Sequence, residues 1–314
     1  MKSNIFSNKI MTVLLAAIVS ILWGTLFPMI KIGYRVFAID NSQVASILLF
    51  AGVRFLISGI ILVAMCSTKN RKLELPTGNK LFSVFIVSML TVVLHYAFTY
   101  LGLSLADSSK SSLLKQIGFL IVPCIAFLFR KDDKFSVHKI FAALLGFSSV
   151  IIINLQGMNF IFGLGEILII LASFCSMFGQ MASKNVYDKY EPTYIVAYAQ
   201  LMGGLILVIA GLLSGGSIGM ISFESIGVLG YICAASITAN ILWNTLIKYN
   251  AMSKLAVLKS MDPLFASLFS ALLLGENILK PTFLAATLLI IVAIYISNKT
   301  YKNKSGKQNE GKNI

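Results

Sequence analysis

Lys115 and Lys259 each stand about one to two turns inside a stretch that is otherwise apolar, and Arg54 stands inside another. A charge at the centre of a bilayer costs about 2.5–3.5 kcal/mol on insertion scales, so such groups face a cavity or a partner. Facing a cavity, the two lysines would attract a carboxylate or phosphate. The alternative is that their long stems carry the charge out to the interface. Asp262 follows Lys259 by three residues, the spacing at which helical side chains meet. If that pair is closed, Lys259 is structural and Lys115 alone reads an anion. Arg54 has no acid in its own stretch, so it either faces the cavity or bonds backbone carbonyls.

Proton coupling has two candidates. His95 has an ordinary pKa near 6.5, although a lone histidine in a membrane also serves as a hydrogen-bonded packing residue. Asp262, beside Pro263, is a carboxylate that can take up protons near neutral pH in a low-dielectric site. Trp23, Tyr96, Tyr100, Gln116, Gln180, Asn240, Trp243 and Asn244 are the polar and aromatic residues placed to line a cavity. Trp243 and Tyr100 sit deepest and are the expected stacking partners for a solute. Pro28, Pro123 and Pro263 each remove a backbone hydrogen bond within an apolar stretch, which frees a carbonyl for a ligand or simply kinks a packed helix.

Enzyme chemistry finds little footing. The chain has two histidines and no HExxH, GxSxG or paired-carboxylate motif. Cys66, Cys124, Cys175 and Cys233 lie singly, without the spacing of a metal site or disulfide framework. No metal and no cofactor are expected. The absence of a Walker motif leaves a gradient or exchange as the driving force.

The elements that must position these residues follow from composition. Hydrophobic residues make up 57% of the 314 positions and charged residues 12%, with a mean hydropathy of +0.86. A chain this apolar takes lipid as its solvent, and only helices or closed barrels cross lipid. Ten stretches of about 20 residues fit helices, near 10–32, 44–65, 81–104, 108–129, 136–154, 163–186, 193–213, 224–247, 252–274 and 281–298. The fold class expected is all-α, integral to the membrane. The net charge of +14 does not indicate nucleic acid, because the cations fall in short clusters between apolar runs. With the N-terminus in the cytoplasm, nineteen of the 26 Lys and Arg fall on cytoplasmic segments and four on the opposite side. That bias follows the positive-inside rule and places both termini in the cytoplasm, including a basic tail at 299–314.

The chain also repeats itself. A shift of 144 lays Ser109-Lys110-Ser111-Ser112-Leu113-Leu114-Lys115 over Ser253-Lys254-Leu255-Ala256-Val257-Leu258-Lys259, and carries Asp132 onto Glu276 without a gap. A shift of 153 puts Ser20 on Ser173, Lys31 on Lys184 and Tyr34 on Tyr187; at 146, Arg54 falls on Gln200. Two units, 10–154 and 163–298, hold five helices each. Five is odd, so the second unit enters the membrane in the opposite sense, and the cations at 130, 131 and 134 are accordingly missing from 274, 275 and 278. Inverted repeats of this kind bind solute near the midplane between the halves.

Trp23-Gly24-Thr25-Leu26-Phe27-Pro28, the step Met261-Asp262-Pro263 leading to Leu272-Leu273-Leu274-Gly275-Glu276, and Trp243-Asn244 resemble drug/metabolite transporters of the EamA type. The resemblance covers nearly the whole chain as two tandem five-helix units. The first unit departs from the pattern, with Gly118-Phe119 at the proline-containing step and Phe129-Arg130-Lys131-Asp132 in place of Leu-Leu-Gly-Glu. The resemblance implies alternating access and metabolite export across the plasma membrane, often of amino acids or related amphipathic compounds. An exporter of amine or drug-like cations is the alternative within the same fold. Channels favour rings of like charge from oligomers over a pseudo-symmetric pair.

Overall fold

The structure is a computed structural model that describes residues 5–40, 42–68, 75–105, 114–115, 117–129, 133, 136–154, 163–219, 221–274 and 281–299. Gln116, Lys110, the loop cations at 130, 131 and 134, and the tail beyond 299 lie outside the described residues.

The described residues are helical and contain no strand. The first half comprises α1 (Lys9–Val36), α2 (Val44–Thr68), α3 (Gly78–Ser88), α4 (Leu94–Leu105), α5 (Ile117–Phe129) and α6 (Val137–Asn154). A π-helical turn, Met89–Val93, joins α3 to α4, so the two form one rod. The second half comprises α7 (Leu164–Tyr187), α8 (Pro192–Leu213), α9 (Phe223–Tyr249), α10 (Met252–Leu258), α11 (Met261–Leu274) and α12 (Pro281–Lys299). Counting α3–α4 and α10–α11 as single crossings gives ten passes in two five-helix repeats. Six of the helical stretches are each long and apolar enough to span a membrane.

Helix ends are capped by local chemistry. The Asn8 side chain accepts from the amides of Ile10 and Met11, and Ser222 and Ser225 cap each other's amides at the start of α9. Along the crossings the polarity of a soluble helix is reversed. On α1, Ile10, Leu14, Ile18 and Ile21 form an exposed stripe at helical spacing, while Ala16 and Val19 on another face are fully buried. On α12 the stripe is Leu284, Leu288, Ile291 and Tyr295. Such apolar outer faces suit acyl chains.

Packing between the halves reveals the symmetry. α1 packs on α9 and α11, and α7 packs on α4 and α5 in the corresponding way; α2 pairs with α8, and α6 with α12. Exchanging the halves maps this set of contacts onto itself, as an inverted repeat about a pseudo-two-fold axis requires.

The α2–α8 pair approaches most closely. A Cβ added to Gly52 would lie 2.5 Å from the Val208 nitrogen, at Gly59 2.4 Å from that of Leu201, at Gly204 2.3 Å from that of Leu56, and at Gly211 2.8 Å from Leu49. Small residues at these points let antiparallel backbones touch, which is how helices associate where lipid offers no hydrophobic drive. These contacts correct the register expected for this pair. Gly52 and Gly59 correspond to Gly204 and Gly211 at a shift of 152, so Arg54 corresponds to Ile206 and not to Gln200.

Candidate functional site

Both repeat-related lysines sit where a helix breaks. α10 ends at Leu258, Lys259 and Ser260 form a turn, and α11 begins at Met261. The expected continuous helix over 252–274 is therefore two. Pro263 has no N–H to offer the carbonyl four residues back, that of Lys259. The Lys259 carbonyl instead accepts from the Asp262 amide at 3.1 Å. In the first half Lys115 occupies the turn between Leu114 and α5.

One serine from the neighbouring helix attends each break. Ser173 on α7 donates to the Lys115 carbonyl at 2.8 Å and accepts from the Gly118 amide at 2.7 Å. Its repeat mate Ser20 on α1 donates to Asp262 Oδ1 at 2.5 Å. Gly118 and Asp262 are themselves mates at the shift of 144, so the same pair of positions meets in both halves, the serine accepting from the Gly118 amide in one and donating to the Asp262 carboxylate in the other. Ser20 and Ser173 were visible as a repeat pair, but their bonds lie across helices and no spacing along the chain reports them.

Lys259 is closed. Its Nζ lies 2.6 Å from Asp262 Oδ2, 3.1 Å from the Trp23 ring centroid and 4.7 Å from that of Trp243. Cation–π attraction and a carboxylate therefore hold one ammonium from several sides. The two tryptophans meet edge-to-face at 5.5 Å, and Trp243 Nε1 donates to Gln180 Oε1 at 2.9 Å. Of the two readings open for Lys259, the structure shows the paired one.

Lys115 has no such partner. It is half-buried, and among the described residues no carboxylate pairs with it; Lys259, Arg54 and Asp262 are its electrostatic neighbours. Arg54, the eleventh residue of the 25-residue α2, lies about 15 Å from the helix start at 1.5 Å per residue. It is 3% exposed, with its guanidinium 4.4 Å from the Phe55 centroid and 5.3 Å from that of Tyr96. Neither Nε nor Nη1 finds a hydrogen-bond acceptor among the described residues. The backbone carbonyls offered as its alternative partners do not receive these two atoms. Tyr34 and Tyr100, neighbours of each other, also lie within electrostatic reach of the guanidinium.

His95 stands among these cations, with Lys115, Lys259 and Arg54 all within electrostatic reach. Its Nδ1 is 2.9 Å from the Ala172 carbonyl, which can only accept, so Nδ1 carries a proton. Its Nε2 is the ring nitrogen left for proton exchange. Asn240 and Asn244 spend their amide donors on carbonyls of their own helix, at Ser236 and Asn240, and Tyr187 donates to Asn244 Oδ1 at 2.7 Å. Tyr187–Asn244 is the repeat counterpart of Tyr34–Tyr100. Lys115, Lys259, Arg54, His95, Asp262, Trp23 and Trp243 thus converge on one region between the halves.

A family model described as the EamA-like transporter family matches residues 10–155 and again 163–298. An uncharacterized transporter of Archaeoglobus fulgidus is 25% identical over 295 residues, spanning 91% of this chain and 96% of the relative. The uncharacterized transporter YvbV of Bacillus subtilis is 26% identical over 299 residues, 94% of this chain and 93% of its own. A solved crystal structure superposes with a TM-score of 0.71 at 16% identity, covering 89% of this chain and 98% of that one.

Proposed function

Because the chain belongs to the EamA-like transporter family, we propose that it is a secondary carrier that exports a small carboxylate-bearing metabolite, such as an amino acid, by alternating access. The observation that carries this reading is Lys115, a cation at a helix break with no carboxylate partner among the described residues. A discontinuous helix exposes backbone and side-chain groups at membrane depth only where they line protein or a cavity. An anionic solute is the group that an unanswered ammonium there would recruit. Trp243 and Tyr100 complete the wall in this reading, and Asn244 holds the orientation of Tyr187.

The chain crosses the plasma membrane as two transport units, 10–154 and 163–298, with both termini cytoplasmic. Transport is driven by exchange or by a proton gradient, with His95 Nε2 and Asp262 as the groups able to carry a proton. Rocking of one unit against the other exposes Lys115 to each side in turn.

A second reading has its own observation. Asp262, Trp23 and Trp243 surround the Lys259 ammonium with the carboxylate and aromatic faces that bind amines. A cationic solute would take this box if the lysine withdrew. Counterflow in proteoliposomes separates the two. Saturable exchange of a labelled carboxylate, lost in Lys115→Met, supports the anion reading. Exchange of amines alone, untouched by Lys115→Met and lost in Asp262→Asn, replaces it with the amine reading.

A further inference from the structure

Arg54 is the buried charge that recognition through Lys115 leaves unused. Four charged groups gather at the site, and Asp262 answers Lys259 at 2.6 Å. Lys115 and Arg54 remain, two cations within electrostatic reach of each other and unmatched by an acid among the described residues. Neutral aromatic faces surround Arg54, and two of its nitrogens point at no acceptor although the residue is 97% removed from solvent by the fold. A guanidinium is a planar fork that matches a carboxylate or phosphate in a bidentate manner, and leaving its donors unmet in a buried site is unfavourable.

The unmet groups extend beyond the arginine. Ser58 lies one turn along α2 from Arg54, with the Cys233 thiol as a neighbour, and its hydroxyl meets no hydrogen-bond partner of good geometry among the described residues. Across the helix pair, where Gly59 touches Leu201, the buried Gln200 Oε1 also finds no donor among the described residues. The Ser58 hydroxyl, one turn from the guanidinium, adds a donor to the two that Arg54 leaves unmet, at mid-helix depth in α2, while the unmet atom of Gln200 is an acceptor at the level of Gly59.

We infer that the transported solute is a dianion, with one oxyanion taken by Lys115 and the second by the Arg54 guanidinium with Ser58 alongside. The inference rests on the anion reading above and narrows it to two negative groups. A dicarboxylate and a phosphomonoester both present this chemistry. A solute with two charges makes the Lys115–Arg54 repulsion useful, because each cation is neutralised only when both ends are bound. It also explains why α2 carries a guanidinium where its repeat counterpart at position 206 is isoleucine.

The test is counterflow by the full-length protein in proteoliposomes with labelled succinate, glycerol 3-phosphate, lactate and a monoamine. The wild type is expected to exchange succinate or glycerol 3-phosphate in preference to lactate, and which of the two it takes identifies the source of the dianion. Arg54→Gln is expected to lower dianion exchange by about tenfold more than lactate exchange, with partial recovery in Arg54→Lys. Dianion exchange unchanged in Arg54→Gln overturns the inference. Exchange of lactate with neither dianion also overturns it while leaving the carboxylate reading in place. Exchange of the monoamine alone removes both. If Arg54→Gln does not fold, the wild-type preference decides, together with thermal unfolding in detergent. A higher Tm with succinate or glycerol 3-phosphate than with lactate supports a two-cation site, and equal Tm values overturn it.

Discussion

The two halves both turn the chain at a lysine and differ beside it, with Gly118-Phe119 in one where the other has Asp262-Pro263. In the second half Asp262 closes on Lys259 and receives the Ser20 hydroxyl. In the first half the matching residue is Gly118, and Ser173 bonds the backbone where Ser20 bonds a carboxylate. Space explains part of this choice, since a Cβ on Gly118 would fall 2.6 Å from both the carbonyl oxygen and the hydroxyl of Ser173. No aspartate fits there while Ser173 holds the break. The side chain missing at Gly118 leaves Lys115 without a carboxylate partner among the described residues while its mate is locked, so a nearly symmetric scaffold carries an asymmetric charge pattern.

Substituting the two lysines is the strongest way to break the comparison. Lys259→Met strands Asp262 in a site where its side chain is only 14% exposed, and loss of one partner from a buried pair costs about 3–5 kcal/mol. A lower Tm in detergent is expected for that variant. Lys115→Met removes a charge that no carboxylate answers among the described residues, so its Tm should stay near that of the wild type while carboxylate exchange disappears. Equal Tm losses for both would mean that the two lysines play the same role.

Gly118→Ala sharpens the contrast from the other side. The added methyl must displace Ser173 or the backbone, at about 1–3 kcal/mol. Thermal unfolding reads this directly, and Ser173→Gly in the same chain should recover part of it by opening the space. The smallest expected effect is at the aromatic box. Trp243→Phe keeps a ring near Lys259 but loses the bond to Gln180 Oε1, worth about 0.5–1.5 kcal/mol. A slight fall in Tm with carboxylate exchange retained would mark Trp243 as support for Lys259. Loss of exchange would make it part of the solute wall.

Much of the fold was legible along the chain. Apolar runs separated by charged loops marked nine of the crossings within a few residues, because a backbone in lipid must close its hydrogen bonds helix by helix. The fourth was marked at its end near Phe129, its start at 108–113 lying outside the described residues. The breaks were less visible. Pro263 hinted at one, but Lys115 has no proline four residues on. Register on α2 was misjudged because two polar residues, Arg54 and Gln200, were matched for their chemistry. The correct signal was the seven-residue glycine spacing at 52, 59, 204 and 211, where the backbones meet.

From its own order of residues the chain determined its solvent, its helices, its duplication and the pairing of Lys115 with Lys259, since each depends on pattern along one dimension. Whether Lys259 faces Asp262 or a cavity, whether Arg54 finds an acceptor, and which serine attends which break were decided by tertiary structure alone. These outcomes depend on distances of about 3 Å, across one turn for Lys259 and Asp262 and between helices far apart in the chain for the serines. At that range one Cβ or one side-chain rotamer determines whether a buried charge is answered.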